Sequence, residues 1–578
     1  MVMRRKKLLL PEELLSGKSA ASSYLIAGII IMLMFLSQIY FVRLDLTSEK
    51  RYTLSTVTKE TLKNMPEMAF VKVYLDGDLP PEFVKMRNSI REMLDEFRVY
   101  AGERIQYQFV NPMEGKTPQA RKNLMQELIN KGLQVTNIQA TDEEGGKSEK
   151  YIFPGAIITY KNTEVPLNLL QNNPGLSAEE NLNNSMQLLE YKLISTLHTL
   201  ASDTVKKIAF VEGHGEFDQY QTADISKELS LFFQVDRGKI NGVAGCLDQY
   251  IAVIIAGPTQ RFSEADKFVL DQYLMQGGKI LFFVDGARIS LDSLHESASV
   301  ALINDVNLDD QLFRYGVRIN PNLIQDIQCA LIPVNTAVEG QPARFVPFPW
   351  YYFPLLLPKQ DHPVTRTINL VRSEFASSID TLAAAGLRKT ILLTTSSFTK
   401  VSNLPNYVSL EQVREAPRKE EFNKQNLAVA VMVEGSFTSI FRNRMLEGLG
   451  IKGNYQFRPS GQAGAIVVVS DADIIRNDVR FDARGPLISP AGFDRYTGQI
   501  FGNREFVVNT LNYLTDASGI IQLRNKEFRL RVLDRNKVRN ERIKWQLINT
   551  VVPSLIIALA GIIQHFLRKR KYGKQITE

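Results

Sequence analysis

"YIAVIIAGPTQRFSEADKFVLDQYLMQGGKILFFVDGA", residues 250–287, contains one complete repeat of a fold. An unbroken apolar run ends in Gly-Pro-Thr, and a serine then opens a segment with helical apolar spacing. Two glycines close that segment and a second apolar run follows at once. Short apolar runs bounded by turn residues read as strands buried on both faces. The serine is an N-cap and the glycines are a helix stop. A helix joining two strands implies parallel pairing through a crossover. The signature recurs in "VKKIAFVEGHGE" (205–216), followed by the helical "QTADISKELSLFF" (221–233). It recurs again in "AGAIVVVSDADII" (463–475), followed by "NREFVVNTLNYLTD" (503–516). Residues 202–523 are therefore predicted to form a doubly wound parallel α/β sheet. An insertion near 325–425 interrupts it. There "VPFPWYYFPLLLP" (346–358) follows neither period, and "VREAPRKEEFNKQN" (413–426) reads as an exposed loop.

Upstream, residues 43–201 alternate differently. "MAFVKVYLDGDLP" (68–80) reads as a strand and "PEFVKMRNSIREMLDEFRVYA" (81–101) as a helix, its Phe83, Met86, Ile90, Met93, Leu94 and Phe97 at helical spacing. A strand "RIQYQFVNP", a helix "TPQARKNLMQELINKG" and the strands "LQVTNIQA", "GAIITYKN" and "TEVPLNLL" follow, and a helix over about 178–200 closes the unit. This mixed order of strands and helices predicts a thioredoxin-like domain, one with no cysteine and hence no thiol chemistry. Cys246 and Cys329 both fall later, and two thiols make no disulfide framework or metal-type CxxC. Whether they pair is open in the sequence.

The chain has 578 residues and a formal net charge of +7. Residues 1–18 supply a net +3 and residues 568–578 a net +4, so everything between is neutral overall. A nucleic-acid binder would carry its basic face on the folded part, which excludes nucleic acid as the partner. Beside each basic tail lies an uncharged apolar segment, 19–42 and 545–567. At 1.5 Å per residue either spans a hydrocarbon core of roughly 30 Å. The first has too long an apolar region for a signal peptide and no small-residue cleavage site. Two transmembrane helices put both basic tails on one side, the cytoplasm, and the bulk of the chain outside, in the periplasm. The segment 524–544 opposes the charge rule, with nine Lys/Arg against three acidic residues. Charge counting loses force for long translocated domains. The segment reads as a membrane-proximal stem.

Functional groups in an open parallel sheet gather beyond the carboxyl ends of the strands. Four such ends are visible: "EGHGE" (212–216), "AGPT" (256–259), "VDGA" (284–287) and "SDAD" (470–473). In one sheet they would set Glu212, His214, Glu216, Asp285, Asp471 and Asp473 along one edge. Such an acidic rim with one histidine suits a cation, a sugar or acid–base work. The plainer reading is that loops are polar because they face water and that the glycines serve turns. No G-x-S-x-G elbow or HExxH occurs, and Cys246 precedes a strand instead of following one. "GGKS" (145–148) lacks the first glycine of a phosphate-binding loop, since residue 141 is Thr141. The chain supplies no ATPase, and no catalytic residue, cofactor or metal is assigned from it.

Seven stretches occur in order that together resemble one family. They are "DLTSEKRYTLSTVTKETL", "FVEGHGE", "AGPTQRFSEADKFVLDQYLMQGGKILFFVD", "DHPVTRTINLVRSEFASSIDTL", "KTILLTTSSFT", "VVVSDADIIRND" and "GNREFVVNTLNYL". The chain resembles the GldG family, gliding-motility-associated auxiliary components of bacterial ABC transporters, over about 43–567. The resemblance implies a GldF-like polytopic permease, a separate GldA-like cytoplasmic ATPase and a role in gliding tied to type IX secretion in Bacteroidota. It also implies that 202–523 is a GIFT domain, related to class I glutamine amidotransferase-like folds, whose nucleophile has no counterpart here. The expected protein is a non-catalytic auxiliary subunit of the inner membrane whose periplasmic domain binds a ligand or protein. The alternatives are a periplasmic scaffold and a metal-assisted hydrolase at the acidic rim.

Overall fold

The computed structural model describes residues 53–525 and 535–572, together with Gly28, Ile29, Ile31, Met32 and Met34, which are helical. Within 53–525, residues 115–116, 142–146, 172–176, 203–204, 290–292, 295–297, 338–340, 343, 415–416, 483–484 and 517 lie outside the description. The chain divides into two units, a body of residues 53–526 and the terminal segments 1–52 and 527–578. The expected first transmembrane helix falls almost wholly outside the described residues, as do both basic tails except for residues 568–572.

The first lobe of the body opens with α1 (Thr56–Lys63), whose N-cap Ser55 accepts a hydrogen bond from the Thr58 amide. Then come β1 (Ala69–Val73), α2 (Pro81–Ala101), β2 (Ile105–Phe109), α3 (Pro118–Asn130), β3 (Thr136–Thr141), β4 (Lys147–Ile152), β5 (Gly155–Tyr160) and β6 (Thr163–Asn168). The sheet order is β2-β1-β5-β6, with β1 and β2 parallel and β5 antiparallel to β1 and β6. β3 and β4 form a separate hairpin. The sequence showed no signal for β4, whose "KSEKYI" contains only two apolar residues. Helix α2 turns Phe83, Met86, Ile90, Leu94 and Phe97 into the core, the spacing read from sequence. The single closing helix expected over 178–200 is two, α4 (Ala178–Gln187) and α5 (Leu189–Ala201), meeting at Leu188. Ser177 and Glu180 make a full capping box at the start of α4.

The second lobe holds β7 (Lys207–Glu212), α6 (Ala223–Leu229), β8 (Gln234–Lys239), β9 (Ala252–Ala256), α7 (Glu264–Met275), β10 (Lys279–Phe283) and α8 (Asp309–Arg314). Five later strands join them: β11 (Cys329–Asn335), β12 (Phe345–Pro358), β13 (Leu387–Thr394), β14 (Ala428–Thr438) and β15 (Ser460–Val469), before α9 (Asn503–Thr515). The sheet runs β11-β12-β13-β14-β15-β10-β9-β7-β8. From β15 to β8 every pairing is parallel, and Ser263 caps α7 as read from sequence. From β15 back to β11 every pairing is antiparallel. The doubly wound parallel sheet is thus only half of the sheet. The insertion extends it with antiparallel strands instead of standing apart.

Alternation along the strands separates two cores. Ile254, Leu281, Phe283 and Val467 face α6 and α9, through Ile225, Leu229, Phe506 and Leu511. Ile255, Ile280, Phe282 and Val468 face α7, through Phe268, Leu270 and Leu274. After α9 the chain returns to the first lobe, where Ile520 and Ile521 are buried in the same core as Leu54 and Ile90. Arg524, the first residue of the expected stem, is buried as well. Its guanidinium donates to the carbonyls of Pro363 and Arg366 and lies over the Tyr191 ring.

In the other unit, α10 (Arg535–Tyr572) runs unbroken through Pro553. It holds the second half of the basic segment and the whole apolar stretch in one helix. Its residues 541–570 are long and apolar enough to cross a membrane, and none of their apolar side chains is buried.

Candidate functional site

The parallel half of the sheet brings the four expected strand ends to one edge, since β7, β9, β10 and β15 all point the same way. The turn after β7 is pressed against the loop after β9. The Phe217 amide donates to the Ala256 carbonyl at 2.9 Å, and the Thr259 and Gln260 amides both donate to the His214 carbonyl. Gly215 has φ +76°, and a Cβ there would sit 2.1 Å from Thr259 Oγ1. Only glycine fits.

His214 is buried inside this turn and stacks on Phe262, ring centroids 3.6 Å apart. Its Nδ1 lies 3.0 Å from Glu216 Oε1 and its Nε2 3.2 Å from Asp266 Oδ2. Burial alone would lower its pKa, but the hydrogen bonds and charges of Asp266 and Glu216 outweigh that and raise it to about 9. An imidazolium donating to both carboxylates is the arrangement this network supports. Asp266 also accepts from Ser263 Oγ and from the Gly242 amide at 2.7 Å each. Its pKa is held down against its own burial by those donors and His214. Glu212 stands apart and pairs with Arg237 Nε at 2.8 Å.

The other three expected residues make a second cluster. Asp285 Oδ1 accepts from the Ala472 amide at 2.6 Å. Asp471 is fully buried and accepts from the Glu374 amide at 2.7 Å and the Asp473 amide at 2.9 Å. Asp473 pairs with Arg476 Nε at 2.7 Å. Glu374 lies between Arg372 at 2.8 Å and Arg476 at 3.2 Å. Burial, more than any neighbour, pushes Asp285 up to about 6 and Asp473 up to about 8. Burial also raises Asp471 well above the usual carboxylate range, with Asp473 and Asp285 adding to it.

Six residues expected on one rim therefore fall into a surface pair, a histidine clamp and a half-buried acidic cluster around Asp471. Asp266, Glu374, Arg372, Arg476 and Arg237 complete these groups and were not singled out from sequence. Asp266 carried one local signal, its place three residues after the cap Ser263. Arg476 and Glu374 lay inside motifs already quoted, but nothing local showed their partners. Among the described residues no three His, Cys, Asp or Glu side chains are placed to hold a metal ion. Cys246 and Cys329 are both free thiols, and burial with nearby Asp326 pushes Cys329 up to about 12. Neither is set up as a nucleophile at neutral pH.

Such a protein is a mixed α/β body with an internally tied polar edge, joined in sequence to an apolar helix. Residues 205–510, just over half of the chain, match the family described as "ABC-type uncharacterized transport system". The chain belongs to that family of auxiliary components of ABC-type transport systems. Residues 48–159 match a domain family of unknown function, DUF7088. No curated protein matches the chain. Among solved structures, the mmIFT52 N-terminal domain aligns at 14% identity and TM-score 0.31, over 54% of this chain and 98% of that one. A putative ThuA-like protein from Parabacteroides merdae aligns at 12% identity and TM-score 0.24, over 54% and 91%. A GH42 β-galactosidase from G. stearothermophilus aligns at 7% identity and TM-score 0.22, over 62% of this chain but only 36% of its own length. At such identities and scores no activity transfers to this chain. The family and the apolar helix fit a membrane-associated protein with transporter components as partners.

Proposed function

We propose that this protein is the non-ATPase, non-enzymatic auxiliary subunit of a gliding-motility ABC transporter of the GldG type, working with a GldF-like permease and a GldA-like ATPase. It is held in the inner membrane by a helix near each end, with the body in the periplasm, where it binds a ligand or a protein. The observation that carries the reading is family membership over 205–510 in a chain whose sequence has no phosphate-binding loop. The first lobe is read as thioredoxin-like, which its mixed β2-β1-β5-β6 order supports. The second is read as GIFT-like, which its parallel core supports.

A second reading, a periplasmic scaffold, is favoured by the polar edge itself. Each of the six residues once expected to meet a ligand has a hydrogen-bond or ion-pair partner within the body. Affinity purification from the native membrane through a tag after residue 578, followed by mass spectrometry, tests the subunit. Recovery of a polytopic permease with a nucleotide-binding ATPase is expected. Recovery of the chain alone in mild detergent would overturn the transporter reading.

A further inference from the structure

Strand β14 runs further than its neighbour β13. Their pairing ends at Leu387 opposite Gly435, whereas β14 stays paired to β15, through a register shift between Ser436 and Thr438, as far as Thr438 opposite Ser460. Residues 436–438 therefore have a strand on one side only. An open strand end of this kind displays backbone groups that another extended segment can pair with. Ser436 and Thr438 line a groove of about 590 Å³ together with the turn 383–385, the end of α8 and residues 439–444.

The walls have a definite chemistry. Phe313, at the end of α8, is 58% exposed and lines the groove, with Ala383, Ala385 and Leu387 adding apolar surface. Three arginines line it too, Arg314, Arg442 and Arg444, against one carboxylate, Asp310. That carboxylate is already held by Lys267 at 2.7 Å and Arg444 at 2.9 Å. Arg314 and Arg442 are exposed and have no carboxylate partner among the described residues. The groove thus pairs an open strand edge and an apolar wall with two uncommitted guanidinium groups. Guanidinium groups bind carboxylates in a fixed two-donor geometry.

We infer that this groove docks an extended protein segment with alternating acidic and apolar residues, supplied by a transporter subunit. The segment adds a strand beside 436–438, sets its apolar side chains against Phe313 and Leu387, and gives carboxylates to Arg314 and Arg442. The choice of donor subunit rests on the auxiliary-subunit reading; the chemistry of the segment rests on the groove alone.

The test uses the full chain in detergent and a fluorescein-labelled acidic hexapeptide, Glu-Val-Glu-Phe-Glu-Val, with Lys-Val-Lys-Phe-Lys-Val as its counterpart. Fluorescence anisotropy should show the acidic peptide binding at least tenfold tighter, with the preference falling as salt rises. Arg314→Glu with Arg442→Glu should abolish that preference at an unchanged melting temperature. If this variant misfolds, Arg314→Ala with Arg442→Ala should still lose it. Equal binding of the two peptides, or binding untouched by either double variant, overturns the inference. Co-purification separates the two readings. If the reversed variant brings down transporter subunits as well as wild type does, the groove is not the dock although the subunit reading stands. If wild type brings down none, the donor is not a transporter subunit and the subunit reading falls.

Discussion

His214 and Asp285 lie on the same sheet edge, yet they tie stability to pH through different chemistry. His214 has an ordinary value of 6.5, and its folded value is about 9. Its contribution is complete below pH 6.5 and is lost as the pH rises through 9, on the order of 3 kcal/mol across that window. Urea unfolding of wild type should follow that decline. His214→Ala should decline less steeply over the same range, keeping only the part that Asp473 contributes, and be about 2–4 kcal/mol less stable at pH 6, because Glu216 and Asp266 lose their shared cation. A variant with the wild-type slope would refute the clamp. Asp285 is raised from 3.8 to about 6, so the folded state resists its ionisation. Its contribution is complete below pH 3.8 and is lost as the pH rises through 6, above which the folded state bears the full cost of the charge. Asp285→Asn keeps an oxygen for the Ala472 amide and removes the charge. It should gain about 1–2 kcal/mol at pH 8 and nothing at pH 3, by denaturant titration at both.

At the scale of elements, β14 holds a backbone conformation that only glycine allows. Gly435 has φ +140°, and a Cβ on it would come within 2.2 Å of the Gly386 carbonyl oxygen. Gly435→Ala should cost about 2–3 kcal/mol and raise amide exchange at 430–438 ahead of the rest of the sheet. Unchanged protection there would show that the backbone yields more easily than its packing implies. Other elements differ in how far their sequence announced them. β9, α7 and β10 were legible because burial on both faces requires unbroken apolar runs and a cap marks the helix start. β8 was not, since "QVDRGK" lies at the sheet's edge and has little to bury. β12 hides behind Pro347, Pro349, Pro354 and Pro358, residues that signal a break in any local reading. Its pairing with β11 and β13 is a choice among distant partners, which local periodicity does not encode. The site divides the same way. Strand ends announced His214 and Asp471, whereas Asp266 and Glu374 reach them only through the tertiary fold.

For the whole molecule, the two lobes share a seam. Ile520 and Ile521 follow the last helix of the second lobe in sequence but are 3% exposed within the core of the first. Ile520→Ser with Ile521→Ser should destabilise that lobe by about 3–5 kcal/mol. Hydrogen exchange should then show α2 and α5 opening before the parallel strands. Equal loss of protection in both lobes would mean that the seam couples them into one cooperative unit.

The seam also decides how the body bears load. The chain enters it at Leu54 and leaves it after Ile521, and both side chains lie in the same core. A pull applied between residues 54 and 521 is therefore taken up inside the smaller lobe. Part of the load passes to the large-sheet lobe through Arg524, whose guanidinium is held by the Pro363 and Arg366 carbonyls. Traction between residues 54 and 524 would thus load the smaller lobe's core and the Arg524 clamp ahead of the strands behind the polar edge.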